Sequence, residues 1–292
     1  MIRINDFSKV YSSSSFNLND DKNPKSITLE IGKGKIIGLL GRNGAGKTTL
    51  LKALVGLHSY NGNIDIMGLH PIRDRPKLMN HITYISDVAI LPKWMKVIQA
   101  IDFVDGLHPN FSREKALKFL EKTDLAFNNK TRIKSLSKGM LAQLHIALIT
   151  AIDAKILVLD EPTLGLDIIT RKKFLQHLTD EFFDEDKTII ISTHQIEEIE
   201  SILTDLVIVE RGQIKLNGLV KDIKDNYKIL TIDNDKLKDE NLDCINKLEP
   251  LYENKRPGFT EYLIQLKKDV NFKKLGKIND PSLSELFVAL VG

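Results

Sequence analysis

Cysteine is nearly absent from this chain: with Cys244 alone, no internal disulfide can form, and the expected setting is a reducing one. Also missing is any uninterrupted apolar stretch of the ~18 residues that a membrane span needs. The nearest approach, 145–159, is broken by Asp153 and Lys155. If the protein works at a membrane, another chain has to cross it. Residues 1–6 lack the apolar core of a signal peptide, which adds to the expectation of a cytoplasmic location. Nor is there a block of one charge. Lys+Arg 42 against Asp+Glu 39 leaves a net charge of +3 with the signs interspersed, so composition gives no reason to expect nucleic acid as a partner. Internal repeats are absent, and low complexity is confined to the short serine run at 12–15.

What is present begins with size. A chain of 292 residues can bury a full core and has room for a main domain and a smaller one. Within it, Gly41-Arg42-Asn43-Gly44-Ala45-Gly46-Lys47-Thr48-Thr49 fits G-x-x-x-x-G-K-[ST] at every fixed position. The apolar run 36–40 before it reads as a strand and the run 50–54 after it as a helix. Glycines are needed there because backbone N–H groups must curl around a polyphosphate, which side chains would block. Lys47 brings a point charge to the outer phosphates, Thr48 a hydroxyl for Mg2+, and the helix that starts near Lys47 its positive end. A glycine-rich turn that binds nothing would explain the glycines but not the flanks.

Alternation at 2–4 and 27–31 predicts antiparallel strands joined by a loose polar loop, with Tyr11 near the end of the first strand region. Further strands are expected at 62–66 and 82–87. From 97 to about 134 the spacing turns helical, with two helices separated by Pro109, and an apolar helix is expected over 141–152. The runs 156–159 and 188–191 lack alternation, as central parallel strands do. Each ends in polar residues: Asp160-Glu161 in one case, Ser192-Thr193-His194 in the other. Ligands bind beyond the carboxyl ends of such strands, so residues 41–49, 160–161 and 192–194 are expected to meet at one edge. A hairpin turning at Arg211-Gly212 follows. Past a boundary near 221, strands at 227–232 and 259–266 and helices at 242–248 and 283–290 are expected.

Asp160 and Glu161 are adjacent carboxylates, and strand alternation would send them in different directions. Asp160 suits Mg2+ through water, and Glu161 suits the water that attacks the γ-phosphate. His194 is placed to hold that water or the phosphate. Without the phosphate loop, a solvated pair opening a turn before Pro162 would explain the carboxylates equally well.

With these residues the chain resembles the nucleotide-binding subunit of an ATP-binding cassette (ABC) transporter, over residues 1 to about 220. Tyr11 matches the aromatic loop that stacks on the base, 41–49 the Walker A loop, and Leu136-Ser137-Lys138-Gly139-Met140 the signature sequence. Residues 156–161 match the Walker B strand with its catalytic glutamate, Leu164-Gly165-Leu166-Asp167 the D-loop, and His194 the switch histidine. The resemblance implies an α/β fold: a P-loop core of residues 1–220 with a mixed sheet, an antiparallel β subdomain and an inserted helical subdomain at about 88–150. A small α+β accessory domain is then expected over 221–292. It further implies an ATPase using ATP and Mg2+, with Glu161 and His194 catalytic and Thr48, Asp160 and Asp87 serving the metal. Nucleotide contacts would come from Tyr11, Gly41, Asn43, Gly44, Ala45, Gly46, Lys47, Thr48, Thr49 and Asp167, and across a dimer from Ser137 and Gly139.

Lys138 and Met140 depart from the glycine and glutamine usual in the signature, and Asp87 stands where the family has a glutamine, judging by the following Ala89-Ile90-Leu91-Pro92-Lys93-Trp94-Met95. Both variants resemble bacterial exporters with separate ATPase and membrane chains. The implied partners are an integral membrane permease and a second ATPase subunit, at the cytoplasmic face of the membrane. An amphipathic peptide, lantibiotic or drug is the implied cargo. A soluble cassette acting as a nucleotide-driven switch without transport is the alternative. Trp94-Met95 falls where the family docks its membrane partner, although such a pair is more often core; Phe182 and Phe183 are expected in the core. Replacing Asp87 by alanine is expected to weaken the Mg2+ dependence of ATP hydrolysis and to uncouple transport; a variant unchanged in a Mg2+ titration and in transport would refute that role.

Overall fold

The computed structural model describes residues 1–9, 26–86, 91–123, 125, 128, 130–236, 245–266 and 276–291. In β1 (Ile2–Ser8) and β2 (Ile27–Ile31) the inward residues are Ile2, Ile4 and Phe7 against Ile27, Leu29 and Ile31, and the strands pair antiparallel. β3 (Lys35–Leu40) leads through the loop at 41–46 into helix α1 (Lys47–Leu54). β4 (Asn61–Ile66) pairs antiparallel with β1 and completes a three-stranded sheet in the order β2-β1-β4. A short helix, α2 (Arg75–Leu78), precedes β5 (Ile82–Ile85).

Three helices then follow: α3 (Val97–Leu107), α4 (Arg113–Glu121) and α5 (Lys138–Thr150). Ser112 caps α4 by accepting the Lys115 N–H, and Ser137 caps α5 by accepting the Met140 N–H. That cap starts α5 three residues earlier than its apolar run implies, because Lys138 and Gly139 lie in its first turn. β6 (Ile156–Asp160), α6 (Ile168–His177), β7 (Thr188–Thr193), β8 (Asp205–Glu210) and β9 (Gln213–Leu219) complete a six-stranded sheet, α6 extending into a π-helical turn at Leu178–Phe182. Its order is β5-β6-β7-β3-β8-β9, parallel except for β9.

The unbroken apolar runs have a packing cause. Leu157, Leu159, Ile189 and Ile191 face one core, with α3 to α6. Their neighbours Ile156, Val158 and Ile190 face another, with α1 and the three-stranded sheet. Both faces of the sheet are covered, so the interior positions 156–159 of β6 and 189–191 of β7 are all apolar, and polar residues stand only at the strand ends.

Beyond the hairpin, α7 (Val220–Asn226) leads to β10 (Tyr227–Asp233), β11 (Tyr252–Arg256), β12 (Phe259–Gln265) and β13 (Lys277–Asn279), then to α8 (Leu283–Val291). This antiparallel sheet has the order β11-β12-β10-β13. Ile229 and Leu263 on one face join the main core together with Leu283 and Leu286 of α8. Leu230, Ile232, Tyr262 and Ile264 on the other face form a separate core with Ile245 and Leu248. Residues 245–247 are helical, and the rest of the helix expected from 242 lies outside the described residues. Among the described residues no helix is long and apolar enough to cross a membrane.

Trp94 and Met95 do not behave as a core pair: Met95 is 9 % exposed and Trp94 69 %. Met95 is fixed from both sides, its N–H bonded to the Pro92 carbonyl and its carbonyl to the Ile133 N–H, which turns the preceding side chain outward. Phe182 is buried and Phe183 half-buried, as expected. Because the Phe182 ring packs into the main core and also carries the Lys187 ammonium 5.1 Å from its centroid, Phe182→Ala is expected to lower unfolding free energy by about 3–5 kcal/mol in urea denaturation.

Candidate active site

The loop at 41–46 owes its shape to two different demands on glycine. At Gly41 the demand is space, since a Cβ would stand 2.4 Å from the Val209 carbonyl oxygen and 2.9 Å from the Ala45 Cβ. At Gly46 it is backbone conformation, φ 105, immediately before α1. Arg42 and Ala45 close the loop through an N–H to carbonyl bond of 3.0 Å, while Asn43 and Gly44 stay exposed on its rim. The Lys47 ammonium lies inside the loop, 6 % exposed, donating to the Gly41 carbonyl at 2.7 Å and standing 3.8 Å from Glu161 Oε1. Burial pushes its pKa down, and the charges of Glu161 and Asp160 oppose that. Thr48 and Thr49 follow in the first turn of α1.

Asp160, the last residue of β6, is fully buried. Ser192 lies beside it in register on β7 and donates to Oδ1 at 2.5 Å; Thr48 donates to the same oxygen at 3.1 Å, and Tyr84 of β5 reaches Oδ2 at 3.5 Å. Three adjacent elements thus supply the donors that a buried carboxylate requires. The polar residues expected at 41–49, 160–161 and 192–194 do meet at one edge.

Glu161 diverges from Asp160, but not through alternation. Its backbone has left the strand for φ 49, a left-handed conformation rare for glutamate, and its N–H is held by the Ser192 carbonyl and hydroxyl, each at 3.1 Å. That turn aims the side chain at His194, whose Nδ1 is 2.8 Å from Glu161 Oε2.

Asp167 caps α6, accepting the N–H groups of Ile169 and Thr170 at 3.0 and 2.9 Å and the Thr170 hydroxyl at 2.7 Å. The Thr170 side chain, first among these, holds its carboxyl below the ordinary range. Gly139 lies close by: a Cβ there would be 3.3 Å from the Thr170 hydroxyl. Among the described residues, Ser137 and Gly139 make no hydrogen bond to the 41–49 loop. Tyr11 and Asp87 lie outside the described residues, as does Cys244.

Among the described residues no three metal-ligating side chains of the His, Cys, Asp or Glu types converge. Thr48 and Asp160, 3.1 Å apart, fit a cation that takes one or two protein oxygens and fills its shell with water and phosphate, as Mg2+ does. The buried ammonium and the cradle at Gly41 fit a polyphosphate.

Four residues of this region belong to none of the motifs; of them only Ser192 lies in a stretch expected at the edge, and none has an expected role. Tyr84 and Ser192 support Asp160, while Arg171 and Glu198 form a half-buried ion pair beneath the turn at 163–166. The polar end of each central strand is the signal for Tyr84 and Ser192; nothing local marks the other two. A cavity of about 280 Å³ opens between α5 and this turn, lined among others by Ser86, Lys138, His145, Glu161, Leu166 and Phe174.

Comparison with known proteins adds to this geometry. Residues 24–164 match the model of a family described as ABC transporter. The chain is similar to YtrB, an ABC transporter ATP-binding protein of Bacillus subtilis (strain 168), at 31% identity over 204 residues, 70% of this chain and 69% of that one. It is also similar to YdbJ, an uncharacterized ABC transporter ATP-binding protein of the same organism, at 31% over 192 residues, 65% of this chain. The match spans 62% of YdbJ, less than two thirds of its length. Among solved structures, a dimeric ATP-binding cassette in a post-hydrolysis state bound to ADP and Pi superposes with a TM-score of 0.62 at 20% identity, covering 75% of this chain and 99% of that one, a likeness of fold.

His145 offers a pH test. Its Nε2 is buried without a hydrogen-bond partner, and burial lowers its pKa from 6.5 to about 4. The unfolded chain therefore takes up the proton first, so stability is full above about pH 6.5 and falls as the pH drops toward about 4. Urea denaturation is expected to give a loss of about 2 kcal/mol between about pH 7 and about pH 5 from this group, absent in His145→Leu.

Proposed function

The chain belongs to the ABC transporter ATP-binding proteins, the ABC ATPases, and with that membership as premise we propose that it hydrolyses ATP to power export through a separate membrane-spanning chain. Its fold is the P-loop fold of these ATPases. The observation that carries the proposal is the Glu161–His194 contact of 2.8 Å beside the buried Lys47 ammonium. We place the nucleotide-binding domain at 1–220, with its helical part at about 88–150, and an accessory domain at 221–292.

The backbone of Gly41, Asn43, Gly44, Ala45 and Gly46 wraps the β- and γ-phosphates of ATP, and Lys47 neutralises them. Thr48 and Asp160 would hold Mg2+, which when bound supplies charge neutralisation at the phosphates; Thr49 lines the same helix start. Asp87 is assigned to the metal and Tyr11 to the adenine ring. Glu161 takes the proton from the water whose oxygen attacks the γ-phosphorus, with ADP leaving from the opposite side. His194 holds the Glu161 carboxylate in line. Ser137 and Gly139 face the nucleotide of a second ATPase subunit, where the start of α5 presents N–H groups to phosphate, and Asp167 is assigned to nucleotide binding. Each site is thus completed by two chains.

Export through a separate permease at the cytoplasmic face of the membrane is supported by the single motif set, the Lys138-Gly139 signature and the lack of a spanning helix among the described residues. The cargo we infer is an amphipathic peptide or a drug-like molecule, and nucleic acid is not an expected partner. Trp94, exposed and close after Asp87 in the sequence, fits a docking position for the permease.

The purified protein is expected to show ATP turnover per subunit that rises with protein concentration. Glu161→Gln should bind ATP within a few-fold of the parent while hydrolysis falls by about 10²-fold or more. Turnover by a proven monomer, independent of concentration, would contradict the shared site, and unimpaired hydrolysis in Glu161→Gln would remove the catalytic assignment.

A further inference from the structure

Directly after His194 the chain runs through two 3-10 turns, Ile196–Glu198 and Glu200–Ile202, before β8. Such turns are short and poorly bonded within themselves, so their position is set by what their side chains reach. Ile196 and Ile199 supply the apolar anchor, both buried in the main core.

Two carboxylates supply the polar anchors, and they face opposite ways. Glu198 pairs with Arg171 and accepts the Thr163 hydroxyl at 3.1 Å, while Arg171 also donates to the Leu166 carbonyl at 3.0 Å. Glu198 is thereby fastened to the turn that leaves Glu161. Glu200 pairs with Lys224 of α7 at 2.6 Å and accepts the N–H of Leu283, the first residue of α8, at 3.3 Å. It is fastened to α7, which runs directly into β10 of the C-terminal sheet, and to α8. One short segment therefore joins α8, the turn at 163–166 and the histidine that touches Glu161.

A buried or half-buried ion pair adds little net stability, because desolvation offsets its attraction; an apolar pair of similar volume would serve as well. What such a pair fixes is direction, through donors that fit only one arrangement. We propose that Glu198 and Glu200 are positioning residues for hydrolysis, and that the C-terminal sheet with α8 sets, through Glu200, how His194 meets Glu161. The proposal rests on the assignment of Glu161 and His194 as the hydrolytic pair. The C-terminal unit is then a governor of turnover from behind the site.

The test uses the full chain with Glu200→Gln, and Lys224→Gln as a second variant that spares the segment itself. Both are expected to lower kcat about tenfold while KM for ATP stays within about twofold, since a misplaced catalytic group costs rate and not binding. In nucleotide-free protein, amide hydrogen exchange across 194–199 is expected to rise while exchange in β1 and β2 is unchanged. A kcat equal to the parent's, or a KM that rises in step with the loss of kcat/KM, would overturn the proposal. If the parent itself fails to hydrolyse ATP, the hydrolytic assignment fails, and exchange decides the positioning claim alone: protection at 194–199 that survives both substitutions refutes it.

Discussion

A carboxylate with no access to water must be met by donors, and Asp160 is met by three. Ser192, Thr48 and Tyr84 come from β7, α1 and β5, so the requirement of one side chain fixes the relative height of three elements around β6. Moving any of them would leave an acceptor unsatisfied in a low-dielectric interior, at a cost of several kcal/mol for a charged group. The phosphate loop inherits this constraint directly, since Thr48 lies one residue past Lys47. Glu161 inherits it through Ser192, which holds the Glu161 N–H as well as the Asp160 oxygen.

Around that point the molecule is built in two materials. Apolar packing supplies the mass: the central sheet sends alternate side chains into two different cores, and the C-terminal sheet repeats the scheme on a smaller scale. Charged and hydroxyl groups supply direction at the carboxyl edge, where the packing stops. The Arg171–Glu198 and Lys224–Glu200 pairs extend that polar framework away from the edge and into the C-terminal unit.

Much of this is legible in the amino-acid sequence. Unbroken runs such as 188–191 announced strands covered on both faces, and the polar ends of those runs announced the edge where the phosphate loop would meet Asp160 and Glu161. Local spacing was blind to other features. The start of α5 was placed too late because Ser137 caps a helix whose first turn has no apolar residue before Met140. Residue type treats Trp94 and Met95 as a pair, whereas the hydrogen bonds of Met95 decide which of the two turns inward. Glu161 was expected to part from Asp160 by strand alternation, yet the cause is a backbone dihedral that no residue pattern near it declares. Arg171 and Glu198 lie 27 positions apart, and pairing at that distance follows from the fold and not from any periodicity.

The left-handed backbone at Glu161 has one more consequence. Glycine would occupy φ 49 with less strain than glutamate does, yet glycine has no carboxylate. Given the role proposed for Glu161, conformational comfort and chemistry pull against each other at a single position, and the residue that would relax the fold there is one that would silence it. A search of random variants for heat resistance alone would drift toward that silence, so any selection for a hardier form of this protein has to score turnover together with melting temperature.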